Sequence, residues 1–104
     1  MSDSHLTDPL GRDIILHDDT WNGHIREGHP EVLAHRDLVE LAVERPLSIR
    51  ASLHDPKCRV YYGRGPRPTV MIQVVADITG GYVKTAHLAK RFNRGAEEWS
   101  SPTP

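Results

Sequence analysis

The sequence predicts an α+β domain in which an N-terminal strand and two helices precede a four-stranded antiparallel meander. Three observations support this class. Apolar residues recur at helical spacing between residues 30 and 45, they alternate with polar residues directly after Pro46, and segments rich in glycine and proline divide the rest of the chain. Because strands and helices are segregated along the chain, we expect both helices to lie on one face of the sheet.

The first strand and the first helix are predicted from the segment after Gly11. The run RDIILH, with two adjacent isoleucines, is typical of a short strand that ends near His17. The next residues, DDT, supply capping side chains and acidic charge, both of which favour a helix N-terminus. A helix is therefore predicted from about Thr20 to Glu27, and Gly28 ends it.

Pro30 marks the start of the second predicted helix. Proline is pre-shaped for a first helical turn, and His29 before it is restricted away from helical geometry. Apolar side chains then form one stripe along the helix, and Pro46 stops it. The stripe consists of Leu33, Leu38, Val39, Leu41, Ala42 and Val43.

Four strands are predicted after Pro46. Residues 47–53 alternate apolar and polar side chains, which is typical of a half-buried strand. Further strands are predicted at 58–63, 69–77 and 82–88, separated by the turn HDPK, the loop GRGPRP and the turn TGG. Short connections of this kind favour antiparallel neighbours, hence the meander.

The composition indicates one folded domain, since 38% of the 104 residues are apolar and 26% are charged. The domain is expected to span residues 11–99, with disordered tails over residues 1–10 and 100–104. Cys58 is alone, which excludes an internal disulfide and a zinc site built on cysteines. There is neither a secretory signal nor an apolar run of membrane-spanning length, so we expect a cytoplasmic protein without a membrane partner.

Charge is distributed unevenly, although the net charge is only −1. Residues 1–44 hold ten acidic and three basic residues, a balance of −7, whereas residues 45–94 hold ten basic and two acidic residues, a balance of +8. Such asymmetry favours a face that binds polyanions. The alternative is a solvated surface on which the two halves neutralise each other across the fold.

The predicted place for the basic side chains is the face of the meander that the helices leave uncovered. Arg50 is expected there, because it alternates with buried positions. On the next strand, residue types favour Arg59 and Tyr61 at this face. The alternate set on that strand is Cys58, Val60 and Tyr62.

The last strand leaves two possibilities open. Either Thr85 and His87 face the site, or Lys84 does, and a register slip of one residue exchanges them. Thr85 and His87 are two positions apart and must share a face.

An open face with arginine, tyrosine and histidine suits a flexible phosphodiester chain. Arginine binds phosphate with a planar fork, and tyrosine offers a stacking surface for unpaired bases. RNA carries its own nucleophile, the 2′-hydroxyl, so the protein need supply only an acid, a base and positive charge, without a metal or a cofactor. Histidine titrates near neutral pH and can fill either proton-transfer role.

The segment HIREGHPE contains two candidate histidines, His24 and His29. One possibility is that His24 is a surface residue of the first helix and His29 a junction residue. Another is that one or both rings reach the sheet edge to move protons. Metal ligation is a third possibility, which a separation of five residues and the lack of a carboxylate–histidine pattern disfavour.

Several segments resemble the phage- and bacteria-borne domains grouped with barnase, EndoU, colicin and RelE-like nucleases, including BrnT-like toxins. The likeness covers roughly residues 11–99 and depends on short motifs. These are Trp21 with His24, HPE at 29–31, Pro46, the tyrosines at 61 and 62, and the Thr85-Ala86 step. The resemblance implies a RelE-like order of elements and metal-independent RNA cleavage on the exposed sheet. It also implies that the gene lies in a toxin–antitoxin or phage-conflict locus, and that an antitoxin or immunity protein covers the site.

The leading hypothesis is an endoribonuclease that forms a 2′,3′-cyclic phosphate. His24 or His29 would act as base or acid, His87 as the complementary proton carrier, and Thr85 would bond a phosphate oxygen. The residues expected to hold RNA are Arg50, Arg59, Tyr61 and Lys84. The alternatives are a non-catalytic RNA- or protein-binding module on the same fold, and an inert scaffold whose sheet face docks a protein.

Overall fold

Seven strands form one mixed sheet in the computed structural model, which describes residues 2–102. In chain order they are β1 (Ser4–Thr7), β2 (Asp13–Leu16), β3 (Ser48–Ala51), β4 (Cys58–Arg64), β5 (Met71–Asp77), β6 (Tyr82–Ala89) and β7 (Glu97–Ser100). Across the sheet the order is β1-β2-β6-β5-β4-β3-β7. The predicted α+β class is confirmed. The sheet also contains two edge strands that were not predicted, β1 and β7.

Two helices lie between β2 and β3. The first helix covers residues 18–28 and contains a π-helical turn, Trp21–Ile25, between two short α-helical turns. The second helix, Arg36–Glu44, follows a 3₁₀ segment, Pro30–His35. Both predicted helices are therefore present, with Pro30 at the start of the 3₁₀ segment and Pro46 just beyond the second helix.

The four predicted strands after Pro46 pair consecutively as antiparallel neighbours, β3 to β6. Their register aligns Ile49, Tyr61, Val74 and Ala86 in one row, and all four are fully buried. This row belongs to the core, to which the first helix contributes Trp21 and Ile25 and the second helix Val39, Ala42 and Val43.

Close packing at the centre of this core requires a glycine. A Cβ atom added to Gly63 of β4 would lie 2.5 Å from Cβ of Ala42, so only glycine lets the second helix approach the sheet this closely. The second helix consequently covers one face of β4 and β5.

The prediction of a disordered tail over residues 1–10 is wrong for β1. Leu6 pairs with Ile14 of β2 and is 5% exposed, so this short strand buries its one large apolar side chain in the core. At the other edge, β7 pairs with β3 and includes Ser100. The remainder of the tails contains Met1, Thr103 and Pro104, which lie outside the described residues.

Strand β2 covers only the start of the β6 edge. The two strands are parallel, and their pairing is confined to Ile15 and Tyr82 within the described part of the chain. Beyond that point the first helix and the 3₁₀ segment lie against β6. The helical region therefore borders the edge of the sheet as well as its core face.

The open face is the side of β3–β6 opposite the core. One row on it contains Arg50, Val60, Val75 and Thr85, and the next contains Ser48, Tyr62, Gln73 and His87. The crossing segment, residues 90–96, joins β6 to β7 across this face. No helix covers the open face within residues 2–102, but the crossing segment lies against part of it. Neither helix in this range has the length and apolar character needed to cross a membrane.

Candidate functional site

The rings of His29 and His87 are stacked at the edge of β6. Their centroids are 4.9 Å apart and their planes are inclined by 29°. His29 lies between the first helix and the 3₁₀ segment, with a non-helical φ of −139° imposed in part by the following proline. His87 lies on the open face of β6. Two histidines that are distant in sequence are thus brought into direct contact.

The environment of His87 favours the neutral form of its ring. Burial lowers the pKa of the His87 imidazole, the nearby His29 lowers it further, and Glu31 offsets only part of this. Nε2 of His87 lies 3.0 Å from Nε2 of Gln73 on the adjacent strand. Because an amide nitrogen is a donor, His87 Nε2 accepts this hydrogen bond and the neutral ring holds its proton on Nδ1.

A carboxylate lies beside His29. Nδ1 of His29 lies 3.6 Å from Oε1 of Glu31, so the protonated ring forms an ion pair. Two stacked imidazoles repel each other when both are charged. The stacked pair therefore accommodates one charged ring more readily than two.

Two buried polar atoms at the site have no hydrogen-bond partner within residues 2–102. They are Nδ1 of His87 and Oγ1 of Thr85. Thr85 and His87 are two positions apart on the same face of β6, paired with Val75 and Gln73. Unpaired buried polar groups are uncommon in proteins, and a catalytic role is one of the reasons for which they are retained.

His24 and Thr85 line the same groove, which has a volume of about 440 Å³. The π-helical turn buries Trp21 and Ile25, while His24 between them is exposed. Single π-turns are frequent at functional sites because they redirect a side chain without ending the helix. The first helix thereby places His24 at the groove that Thr85 also lines.

A β-bulge places Lys84 beside these residues. The β5–β6 register shifts between Val75, which pairs with Thr85, and Ala76, which pairs with Val83, so Lys84 has no opposite residue. Lys84 lines the His24–Thr85 groove and also a second groove of about 220 Å³ on the open face. The expected exclusion of Lys84 from the face of Thr85 and His87 does not hold in the fold, because the bulge brings Lys84 and Thr85 into one groove.

The second groove extends the site across the open face. Gln73, Val75 and Lys84 form one wall, and Asn93 of the crossing segment lies at another. The β3–β4 loop and the buried side chains of Cys58 and Val60 complete it. Burial raises the pKa of the Cys58 thiol, which disfavours the reactive thiolate.

Tyr61 and Arg59 are on the wrong face for the predicted role. Tyr61 is fully buried in the core, and its hydroxyl donates a 2.6 Å hydrogen bond to Oδ2 of Asp8. Arg59 shares that face and donates to Glu98, which also accepts from Arg12. Arg50 pairs with Val60, so the open face of β4 carries Val60 and Tyr62 instead. Neither Tyr61 nor Arg59 joins the histidines.

Arg50 lies on the open face as predicted, but its guanidinium is occupied. It donates to Ser48, to the backbone oxygen of Asn93 and to Glu97, and it stacks on Phe92 at 4.4 Å. Three strand spacings, about 14 Å, separate it from Thr85 along their shared row. Arg50 therefore anchors the crossing segment at a distance from the histidine pair.

The site also contains residues that were not predicted. Gln73 fixes the tautomer of His87, and Asn93 lines the open-face groove. Three exposed cations, Lys90, Arg91 and Arg94, lie in the crossing segment. The clustering of these cations around Phe92 was a visible signal in the sequence, whereas nothing in the sequence pointed to Gln73.

Of the predicted site residues, His24, His29, Lys84, Thr85 and His87 are brought together around the free part of the β6 edge. Within residues 2–102, no three or more histidine, cysteine, aspartate or glutamate side chains are arranged to hold a metal ion. No family model, curated protein or solved structure matches the chain.

Proposed function

We propose that this protein is a metal-independent endoribonuclease whose proton-transfer groups are His29 and His87. The observation that supports it most is the stacked pair of rings, one with a pKa lowered by burial and the other next to a carboxylate. RNA cleavage by 2′-hydroxyl attack needs this combination of a proton acceptor and a proton donor in one place. The five clustered residues include four of the predicted catalytic groups.

In the proposed reaction, the 2′-hydroxyl of the substrate replaces the Gln73 amide at Nε2 of His87 and gives its proton to that nitrogen. The 2′-oxygen forms a bond to phosphorus while the bond from phosphorus to the 5′-oxygen breaks. Protonated His29 donates its proton to the departing 5′-oxygen. The products are a 2′,3′-cyclic phosphate and a 5′-hydroxyl, and no other reactant is consumed.

Thr85 and Lys84 are assigned to the negative charge that develops on the phosphoryl oxygens. The Thr85 hydroxyl has no hydrogen-bond partner within the described chain and can donate to such an oxygen. Lys84 is exposed in the same groove, and its Nζ atom lies 3.8 Å from Asp55, a long contact between half-exposed groups. His24 is assigned to substrate contact at the mouth of the groove.

The proposal includes a relation of the fold to known nucleases. The order of β2, two helices and the antiparallel strands β3–β6 supports a relation to RelE-like and barnase-like nucleases. That relation would place the protein in the cytoplasm, in a toxin–antitoxin or phage-conflict setting. The partner would be a cognate antitoxin or immunity protein that covers the histidine pair.

A non-catalytic RNA- or protein-binding module is the second candidate. The ion pairs of Arg50 with Glu97 and of Arg59 with Glu98 favour this candidate. Because of them, neither guanidinium is available to bind a phosphate beside the histidines. Such a module predicts salt-sensitive RNA binding without cleavage. It makes no prediction about the protonation of His87.

The experiment is to incubate the purified protein with a short RNA oligonucleotide in excess chelator and to identify the product ends. The proposal predicts cleavage with 2′,3′-cyclic phosphate ends. A matched oligonucleotide with 2′-deoxy nucleotides throughout should remain intact, because it lacks the nucleophile. Intact RNA in chelator with cleavage restored by a divalent metal, or cleavage of the 2′-deoxy control, would remove this mechanism.

A further inference from the structure

We propose that the crossing segment, residues 90–96, binds the phosphodiester backbone of single-stranded RNA. The substrate class rests on the proposed function, and the inference adds the surface that holds the substrate. Sequence reasoning assigned that task to Lys84, a single exposed cation in the site, and to Arg50, Arg59 and Tyr61, which are engaged inside the protein. The site therefore needs another source of positive charge.

The crossing segment supplies it. Lys90, Arg91 and Arg94 are exposed, and within residues 2–102 none of them has a hydrogen bond or an ion pair. Several other cations are paired with acidic groups, such as Arg12 with Asp8 and Arg59 with Glu98. Unpaired, clustered cations are the groups from which a polyanion can displace counterions without first breaking a salt bridge.

The backbone of the crossing segment is held in place on the open face. The Asn93 backbone N–H donates to the Tyr62 hydroxyl at 2.7 Å, and the Asn93 side chain donates to the backbone oxygen of Ala51 at 3.0 Å. Phe92 packs edge-on against Tyr62 with ring centroids 5.0 Å apart and is covered by Arg50. A fixed backbone presents its cations at low entropic cost on binding.

The position of the segment connects it to the histidine pair. Lys90 directly follows β6, three positions after His87, a distance of about 10 Å along an extended chain. Asn93 lines the groove that also contains Gln73 and Lys84. A strand of RNA along the crossing segment would therefore pass the open-face groove and reach the two imidazoles.

Phe92 adds the second feature of a single-strand binding surface. Its ring is 39% exposed although it is packed between Tyr62 and Arg50. An aromatic face among cations can stack on an unpaired base with little regard to sequence. Double-stranded RNA offers no such base, so the surface fits the single-stranded form.

The test is the binding of a fluorescent 2′-O-methyl oligonucleotide, which the proposed reaction cannot cleave, by fluorescence anisotropy at several salt concentrations. The variant Lys90→Gln/Arg91→Gln/Arg94→Gln should bind at least about 10-fold more weakly, and its log–log salt slope should be smaller by about 2, because three phosphate contacts are lost. The control variant Arg45→Gln/Arg64→Gln/Arg67→Gln changes the net charge equally elsewhere on the surface. It should stay within about 2-fold of wild type.

Equal losses in the two variants would overturn the inference, because binding would then follow net charge alone. Unchanged binding in the crossing-segment variant, or no binding by wild type, would overturn it as well. Circular dichroism of each variant verifies that the fold is retained. If wild type binds through the segment but does not cleave unmodified RNA, the proposed enzyme activity fails and this inference stands. If RNA is cleaved and the crossing-segment variant binds normally, the proposed enzyme activity stands and this inference fails.

Discussion

The hydroxyl of Tyr61 donates a 2.6 Å hydrogen bond to the Asp8 carboxylate, joining the centre of β4 to the loop after β1. Asp8 is 3% exposed and also accepts from the backbone and side chain of Arg12. Burial alone would raise the pKa of the Asp8 carboxyl, but these hydrogen bonds outweigh it and the pKa lies below the usual value. The network holds the N-terminal strand on the core.

Replacing Tyr61 with phenylalanine should therefore destabilise the fold. The substitution leaves a buried carboxylate with one donor fewer, at a cost of about 1–3 kcal/mol in the free energy of unfolding. Urea unfolding measures the change. Tyr82→Phe is the matched control, because Tyr82 is 37% exposed, and it should shift the free energy by less than about 0.5 kcal/mol. A Tyr61→Phe protein of normal stability that has lost RNA binding would show that Tyr61 acts at the surface instead.

The lowered pKa of His87 predicts how stability depends on pH. The folded ring binds a proton less readily than the unfolded one, whose usual pKa is 6.5. This contribution to stability is fully present above about pH 6.5 and is lost as the pH falls from there through the folded pKa. Urea unfolding between about pH 7.5 and about pH 5.5 should thus show a steeper loss for wild type than for His87→Gln.

The exposed residue His54 provides the control for this measurement, since His54→Gln should retain the wild-type slope. Identical pH dependence in the wild-type and His87→Gln proteins would mean that His87 is as easily protonated in the fold as in the unfolded chain. The neutral member of the proposed pair would then be missing.

Gln73 should act as a positioning residue for His87. Its amide donates to Nε2 at 3.0 Å, so nitrogen NMR of the wild-type protein should find the proton of neutral His87 on Nδ1. In Gln73→Glu the carboxylate accepts instead, which should move the proton to Nε2 and raise the pKa of His87. Gln73→Met removes the partner and should leave neither tautomer enforced.

A merely structural role for Gln73 would leave the tautomer unchanged in all three proteins, and that result would contradict the assignment. The pH profile of RNA cleavage supplies a second readout. A raised His87 pKa in Gln73→Glu should shift the low-pH limb of the profile upward, because the base is protonated over a wider range.

The sequence predicted the elements whose signals are local. Pro30 and Pro46 marked the helical region, and alternation after Pro46 predicted four strands that pair as antiparallel neighbours. Strand β1 was missed because the run SHLT has a single large apolar residue and is ordered by its pairing with β2. Glu97–Ser100 was missed for a similar reason, since β7 forms by adding to the edge of β3.

The faces of the strands depended on information that the sequence does not contain locally. In β4, Val60, Tyr61 and Tyr62 are all buried, so alternation could not tell the core face from the open face. The bulge at Lys84 likewise depends on how β5 and β6 pair. Trp21 lies in the core, where it is 3% exposed.

The histidine site likewise depends partly on local sequence signals and partly on long-range strand pairing. Residue types and spacing identified His24, His29 and His87 as candidates, but their meeting depends on β2 leaving most of the β6 edge free for the helical region. The role of Gln73 follows from cross-strand register alone. Residue chemistry thus predicted half of the site, and long-range pairing determined the other half.

The most direct test of the account is the cleavage rate of one RNA oligonucleotide in chelator by His29→Gln, His87→Gln and the double variant. Each single substitution should lower the rate by about 100-fold or more, and the double variant should be little worse than either, because the two rings act as a unit. His5→Gln, at an exposed position outside both grooves of the site, should keep the wild-type rate. Wild-type rates in both His29→Gln and His87→Gln would contradict the central claim that the stacked pair transfers the protons.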